Sequence, residues 1–270
     1  METYRKVIIA ASIIAVLGIG FFSYIFFFPK KDAGVPQQET VAPETQPIET
    51  LPEKVEEPAD LMEAAGPLNV ELHESDSPVR DLAQTLSSDP NFVQWLKSKD
   101  LIRRIVAVTE NIAAGESPAS HLEFMKPKTD FQVFSKEGKY YMSPKSYRRY
   151  NRMAQAAASI ETDVVKTLYP QLEPLMQRAY NELGYPGRTF RDRLNQAVAV
   201  ILKTPIVIGS IELEKKVISF SYKDRELENL NLAQKHLLRM GPDNLKKIKA
   251  KLREIAIALE LPVSKRRDLF

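Results

Sequence analysis

Residues 243–259 read DNLKKIKAKLREIAIAL. Leu245, Ile248, Leu252, Ile255 and Leu259 recur at intervals of three and four, which places them on one stripe of a 3.6-residue helix. Lys246, Lys247, Lys249, Lys251 and Arg253 take the remaining sides. A helix of this kind is held by burying its stripe against neighbours, so the stretch predicts a helical domain with the lysines in water.

The residues on its amino side repeat the pattern. Asn231 to Met240 reads as a second helix, joined to the first at Gly241-Pro242. Ser77-Pro78 and Asp89-Pro90 each set a capping residue before a first-turn proline. Asp100 is expected to cap a stronger helix carrying Leu101, Ile105, Val108 and Ile112, which Gly115 ends. Ser143-Pro144 opens another, with Tyr147, Tyr150, Met153, Ala154 and Ala157 on one side; the run Ala156 to Ala158 lets a neighbouring helix approach closely. Val165, Leu168, Leu172, Leu175, Ala179 and Leu183 keep a helical period across Pro170 and Pro174, and the two prolines predict a kink or break near Thr167. Thr189 is placed to cap a helix with Phe190, Leu194, Ala197, Val198 and Ile201 inward.

Two regions have the period of strands. Phe131 to Phe134 and Lys139 to Met142 form a hairpin through Gly138, and Ile206 to Ile208 and Val217 to Tyr222 add two further strands. The fold class expected is mainly α, a multi-helix globular domain over residues 68–270 with a small β-hairpin or sheet.

Ahead of this domain the composition changes twice. Val7 to Phe28 carries no charge over 22 residues, enough for about 33 Å of helix and so for one crossing of a bilayer core. It is too long for a signal-peptide core and ends in Phe26, Phe27, Phe28 and Pro29 without a small-residue cleavage site. Residues 1–31 are therefore expected to be a short cytoplasmic tail and a retained transmembrane anchor. Arg5 and Lys6 on one flank match Lys30 and Lys31 on the other. With the free amine tipping the balance, the orientation expected puts the amino end in the cytoplasm and the domain on the periplasmic side of an inner membrane. Residues 32–67 hold Pro36, Pro43, Pro47, Pro52, Pro58 and Pro67 among nine acids and a single basic residue, Lys54. This composition cannot offset its own ordering entropy and reads as a disordered acidic linker.

The chain's net charge of +3 hides a domain near +8 once residues 1–31 and the acidic linker are set aside. That excess favours anionic neighbours such as headgroups, acidic glycans or nucleic acid. The absence of cysteine excludes a lipoprotein anchor, a disulfide framework, thiolate metal sites and a cysteine nucleophile.

The segments LIRRIVAVTENIAAGESP (101–118), YRRY (147–150), YPQLEPLMQRAYNELGYP (169–186) and, above all, QKHLLRMGPDN (234–244) carry a resemblance. Over residues 68–261 the chain resembles the bacterial envelope family catalogued as domain of unknown function 3014. The resemblance implies an amino-terminal anchor and proline-rich linker ahead of the domain, and an envelope setting. It implies no ligand and no catalytic residue.

The residues themselves give little chemistry. His73, His121 and His236 are scattered, so no metal-ligand spacing exists, and no phosphate loop or dinucleotide fingerprint occurs; no metal or cofactor is expected. Gly115-Glu116-Ser117 starts like a nucleophile elbow but follows a helix and continues Pro118-Ala119. Asp224 with Glu226, or Glu161 with Asp163, are acid pairs that helix starts explain more simply, and Asp76 with Arg80 reads as a helix-spaced ion pair. Two places stand above background. One is the aromatic and basic run with Tyr147, Arg148, Arg149 and Tyr150, able to stack on sugars or bases; the plainer reading is tyrosines packed inward and arginines in water. The other is the helix start after Gly241-Pro242 with Arg239, Lys246 and Lys249, able to hold an anion unless Asp243 occupies its amides.

The function expected from sequence is a membrane-anchored envelope binding or assembly module. Its partners would be the lipid bilayer through residues 7–28 and an envelope protein or anionic cell-wall polymer. One alternative is an enzyme acting on cell-wall polymer through carboxylates, with no catalytic motif to support it. The other is nucleic-acid binding by the basic closing helix pair, which a domain outside the cytoplasm disfavours.

Overall fold

The structure, a computed structural model, describes residues 66–262. The expected anchor at 7–28 lies outside the described residues, as does the expected linker apart from Gly66 and Pro67. Among the described residues no helix is long and apolar enough to cross a membrane.

The chain enters along a helix it meets again later: the Leu68 amide donates to the Gln171 carbonyl (3.0 Å), and Arg178 donates to the Val70 carbonyl. Helices α1 (Asp76–Ala83), α2 (Pro90–Trp95) and α3 (Leu101–Ala113) follow. Asp89 caps α2 as its sequence predicts, accepting from the Asn91 and Phe92 amides at 2.8 and 3.1 Å. Asp100 does not cap α3. It lies in the left-handed region at φ 56°, and Asp76 of α1 instead accepts from the Asp100 and Leu101 amides at 2.8 and 2.9 Å. Arg80 is likewise drawn away from the expected pair with Asp76, donating to the Leu96 and Ser98 carbonyls at 2.7 and 3.3 Å. One turn of α1 thus satisfies the orphan amides of α3 and the orphan carbonyls of α2.

Strands β1 (Val133–Lys136) and β2 (Lys139–Met142) form the expected hairpin, and β3 (Glu212–Lys215) and β4 (Phe220–Tyr222) complete an antiparallel sheet in the order 1-2-3-4. The run Ile206 to Ile208 is not a strand. It passes between Pro205 and Gly209, with Val207 packed on the sheet's core and Ile208 exposed, and the strand that pairs with β2 begins only at Glu212. Val217 and Ile218 belong to the β3–β4 turn, closed by the Lys216 amide on the Ser219 carbonyl at 2.8 Å.

The helix expected from Pro144 onward divides into α4 (Pro144–Arg148) and α5 (Asn151–Ala158). At the junction the backbone tightens to a three-residue turn, with the Tyr150 amide on the Tyr147 carbonyl, and Arg149 donates to the Thr129 carbonyl at 2.6 Å. Helix α6 (Thr162–Glu182), by contrast, runs unbroken through Pro170 and Pro174. Both prolines lie on the exposed face, so the carbonyls they leave unpaired look toward water, while Leu168, Leu172, Leu175 and Ala179 form a continuous buried stripe.

Helix α7 (Phe190–Lys203) is capped by Thr189 as expected, α8 (Arg225–Glu228) and α9 (Leu232–Leu238) are short, and α10 (Pro242–Ala258) closes the described chain. Helix α3 packs on α6 and α7, and α10 on α5 and α6. Ile102, Val106, Leu175, Tyr180, Phe190 and Ala256 are among the residues sealed in this helical core. Glu110 and Arg193 clamp α3 to α7 through two parallel bonds of 2.5 and 2.6 Å.

On α10 the buried stripe includes a lysine. Lys249 is only 6% exposed and its Nζ donates to the Thr204 carbonyl at 3.1 Å, so it is not on the solvated face that its charge suggested. Thr204 ends α7, where carbonyls lack helical partners, and the aliphatic stem of Lys249 lies in line with Leu245 and Leu252.

Candidate functional site

The two regions that the sequence singled out separately meet where α4 packs on the α9–α10 turn. Gly241 at that turn has φ 82° and ψ 164°, a conformation reserved for glycine, and a Cβ there would collide with the Tyr147 ring and stand 2.7 Å from the Tyr147 Cβ. Asn244, buried in the first turn of α10, donates to the Tyr147 carbonyl and to the Asn151 side chain, each at 3.0 Å. The start of α10 therefore holds both the Tyr147 side chain, through Gly241, and its backbone, through Asn244. Its hydroxyl is buried without a hydrogen-bond partner, and burial pushes its pKa up.

A polar cluster lies next to it. Helix α9 brings Lys235, His236 and, one turn on from Lys235, Arg239 onto one side, because residues three and four apart share a helix face. Burial pushes the Tyr222 hydroxyl up to about 12, against the pull of the neighbouring Arg239 guanidinium, and Tyr147 adds to the rise. The same hydroxyl donates to the Lys235 carbonyl at 3.4 Å. Glu228 accepts from the Tyr222 amide (2.9 Å) and from Lys235 Nζ (2.8 Å). Burial alone would raise its pKa; these two donors outweigh that and hold the carboxyl below its ordinary range.

His236 is pushed down to about 4, first by burial and then by Arg239. Its Nε2 lies 2.8 Å from the Ser117 hydroxyl, which itself accepts from the Ala119 amide at 3.3 Å. A neutral ring lets Nε2 accept the Ser117 proton, and the bond ties the loop after α3 to α9. A histidine titrating near 4 is a weak base at neutral pH, so this couple is poorly suited to activating serine as a nucleophile.

Of the residues expected from sequence, Tyr147 and Arg239 are brought together, both bearing on Tyr222. Arg148 is exposed at the end of α4. Arg149 stacks over Phe131 and Tyr150 with centroid distances of 5.9 and 5.3 Å and is committed to carbonyls. Lys246 is exposed on α10, and Lys249 is buried against Thr204. Asp243 is exposed and makes no side-chain cap on α10, whose N-cap is Gly241. The acid pairs do not converge on a cleft: Asp224 accepts from the Glu226 and Leu227 amides as the cap of α8, and Glu161 and Asp163 sit exposed at the start of α6.

Tyr222, Glu228 and Lys235 were not found as site residues from sequence, and Ser117 and His236 were weighed there and set aside. The only local signal was the spacing of Lys235, His236 and Arg239 inside QKHLLRMGPDN; the partners come from 7 to 119 positions away, the separations of Glu228 from Lys235 and of Ser117 from His236. An open depression of about 400 Å³ elsewhere is lined by Glu71, His73, Arg103, Arg178, Asn181 and Glu182, with Arg103 paired to Glu182 at 2.9 Å and Arg178 to Glu71 at 3.6 Å. Among the described residues no group of three or more histidines and acids is arranged to hold a metal.

No curated protein and no solved structure matches this chain. A family described as "Protein of unknown function (DUF3014)" matches residues 101–256, from the first residue of α3 to the buried Ala256 of α10. That span covers more than half of the chain and every residue of the Tyr147–Arg239 cluster, and the chain belongs to this family.

Proposed function

We propose that the chain is a single-pass, membrane-anchored binding or assembly module of the bacterial envelope, and that it takes an anionic group of an envelope protein or cell-wall polymer at Arg239. The observation that carries the reading is the company Arg239 keeps. It is half-buried beside the Tyr222 hydroxyl and a neutral His236, while the nearby Glu228 carboxylate is occupied by Lys235 and the Tyr222 amide. A guanidinium so placed has donors left for a planar carboxylate or a phosphate. The anchor is read from Val7 to Phe28, and the basic excess of the domain supports an anionic partner.

Leu232 lies on the same face of α9 as Lys235, His236 and Arg239 and is 51% exposed, which makes it the position for a photo-crosslinking amino acid in the full chain. Irradiation of intact cells is expected to give one discrete adduct that is lost with Arg239→Gln. Adducts with bulk lipid alone, or an adduct indifferent to Arg239→Gln, would reject the reading. Orientation is checked separately by protease treatment of spheroplasts: digestion of the domain with the inner membrane intact is expected, and full protection would reverse it.

A further inference from the structure

The register of the sheet brings its two turns to one end. Tyr140 pairs with Leu213 in antiparallel sense, so the β1–β2 turn at Glu137-Gly138 and the β3–β4 turn at Val217-Ile218 point the same way. Val217 is 99% exposed and Ile218 70% exposed; Lys136, Lys139 and Lys215 sit at the turn ends of β1, β2 and β3, and Lys216 begins the second turn. Three carboxylates reduce this charge without cancelling it: Glu214 beside Lys216 at 2.9 Å, Glu212 beside Lys139 at 3.9 Å and Glu137 in the first turn, so one net positive charge remains.

We infer that this end of the sheet docks on an anionic lipid surface, with Val217 and Ile218 entering the headgroup boundary and the lysines meeting lipid phosphates. A protruding two-residue tip, almost wholly exposed, offers neither a groove nor the roughly 800 Å² per partner that a specific protein interface needs. A bilayer boundary is deformable and accepts such a tip, and anionic headgroups complement the lysines beside the two turns. The turn is held by the Lys216–Ser219 backbone bond and by pairing of β3 on both edges, so little ordering accompanies docking. This contact is separate from anchoring by residues 7–28 and does not require it. If those residues anchor the chain, the tether raises the local concentration of the tip at the membrane.

The chain has no cysteine, so a single one reports a single place. The full chain carrying Ser219→Cys, labelled with an environment-sensitive fluorophore, is mixed with phosphatidylcholine vesicles with and without phosphatidylglycerol; Ser88→Cys, exposed between α1 and α2, is the control. The expected result is a blue shift at position 219 on the anionic vesicles, quenched by shallow spin-labelled lipid, reversed by salt, absent at position 88 and lost with Val217→Asp/Ile218→Asp. An unshifted label at 219 overturns the inference, as does a shift indifferent to lipid charge. A shift that follows protein concentration without lipid quenching also overturns it, in favour of a second copy of the chain. Co-flotation of the chain with vesicles regardless of the tip variant reports the anchor, so failure of the anchor and failure of the tip are read apart.

Discussion

Among the described residues the buried apolar side chains form two clusters of different make. The larger is built by α1, α3, α6, α7 and α10 around Val106, Leu175, Tyr180 and Phe190, and its polar groups are paired at its edges, as Glu110 and Arg193 are. The smaller joins the sheet to α8 and α9 through Met142, Ile211, Leu213, Tyr222, Leu227 and Leu238, and it runs directly into the cluster of Tyr147, Glu228, Lys235, His236 and Arg239. The difference is one of closure. Long helices with full stripes seal the few polar groups they enclose, as Lys249 is sealed against the Thr204 carbonyl, whereas a four-stranded sheet of three- and four-residue strands leaves a margin where tyrosine hydroxyls and cations remain half-buried.

This comparison breaks first on core truncation. Leu175→Ala, at a fully sealed position of α6, is expected to cost about 3 to 5 kcal/mol, and Met142→Ala at the sheet about 2 to 3, read from denaturant midpoints. Equal losses would mean that the two clusters form one cooperative core of uniform density. Next comes the joint between them. Gly241→Ala adds a Cβ into the Tyr147 ring at a glycine-only backbone, with an expected loss of about 2 to 4 kcal/mol, and unchanged stability would show that the α4 contact yields freely.

Acid sharpens the view of the margin. His236 is held neutral in the fold, with its pKa pushed from 6.5 to about 4. The unfolded chain therefore binds the extra proton between those values, so the contribution is complete above about pH 6.5 and is lost as pH falls toward 4. It amounts to up to roughly 3 kcal/mol. The slope of stability against pH over that window is expected to flatten with His236→Gln, and an unaltered slope would place the titration elsewhere. The smallest effect is Tyr147→Phe. Removing a buried hydroxyl without a partner is expected to leave stability unchanged or raise it by up to about 1 kcal/mol, measured by thermal unfolding. A clear loss would show that this hydroxyl is satisfied in solution.

Much of the layout was legible in local spacing. The caps at Asp89, Ser143 and Thr189, the hairpin about Gly138, the α5 alanines packed on α10 and the mainly helical class with a small sheet all rest on residues within a few positions of one another. What was misread involves groups satisfied from a distance. Asp100 looked like a cap until Asp76, from another helix, took its place. Pro170 and Pro174 looked like breaks, yet they are harmless once the tertiary fold sets them on the wet face of α6. Ile206 to Ile208 had the composition of a strand and found no strand to pair with. The candidate site was half legible: Tyr147 and Arg239 were named as members of two regions, but Tyr222 and His236 gain their character from burial and Glu228 from the donors of Lys235 and Tyr222, all set by the tertiary fold.

Residues 243–259 show the division on a single helix. Their sequence by itself determined that they are helical and that Leu245, Leu252 and Leu259 face the same way, because a 3.6-residue period is a property of the backbone. Which lysine goes inside was decided only by the tertiary structure. Lys246 and Lys249 are three residues apart, and the second lies opposite the Thr204 carbonyl at the end of α7, where a buried acceptor and a buried ammonium, each costly alone, satisfy one another through a hydrogen bond.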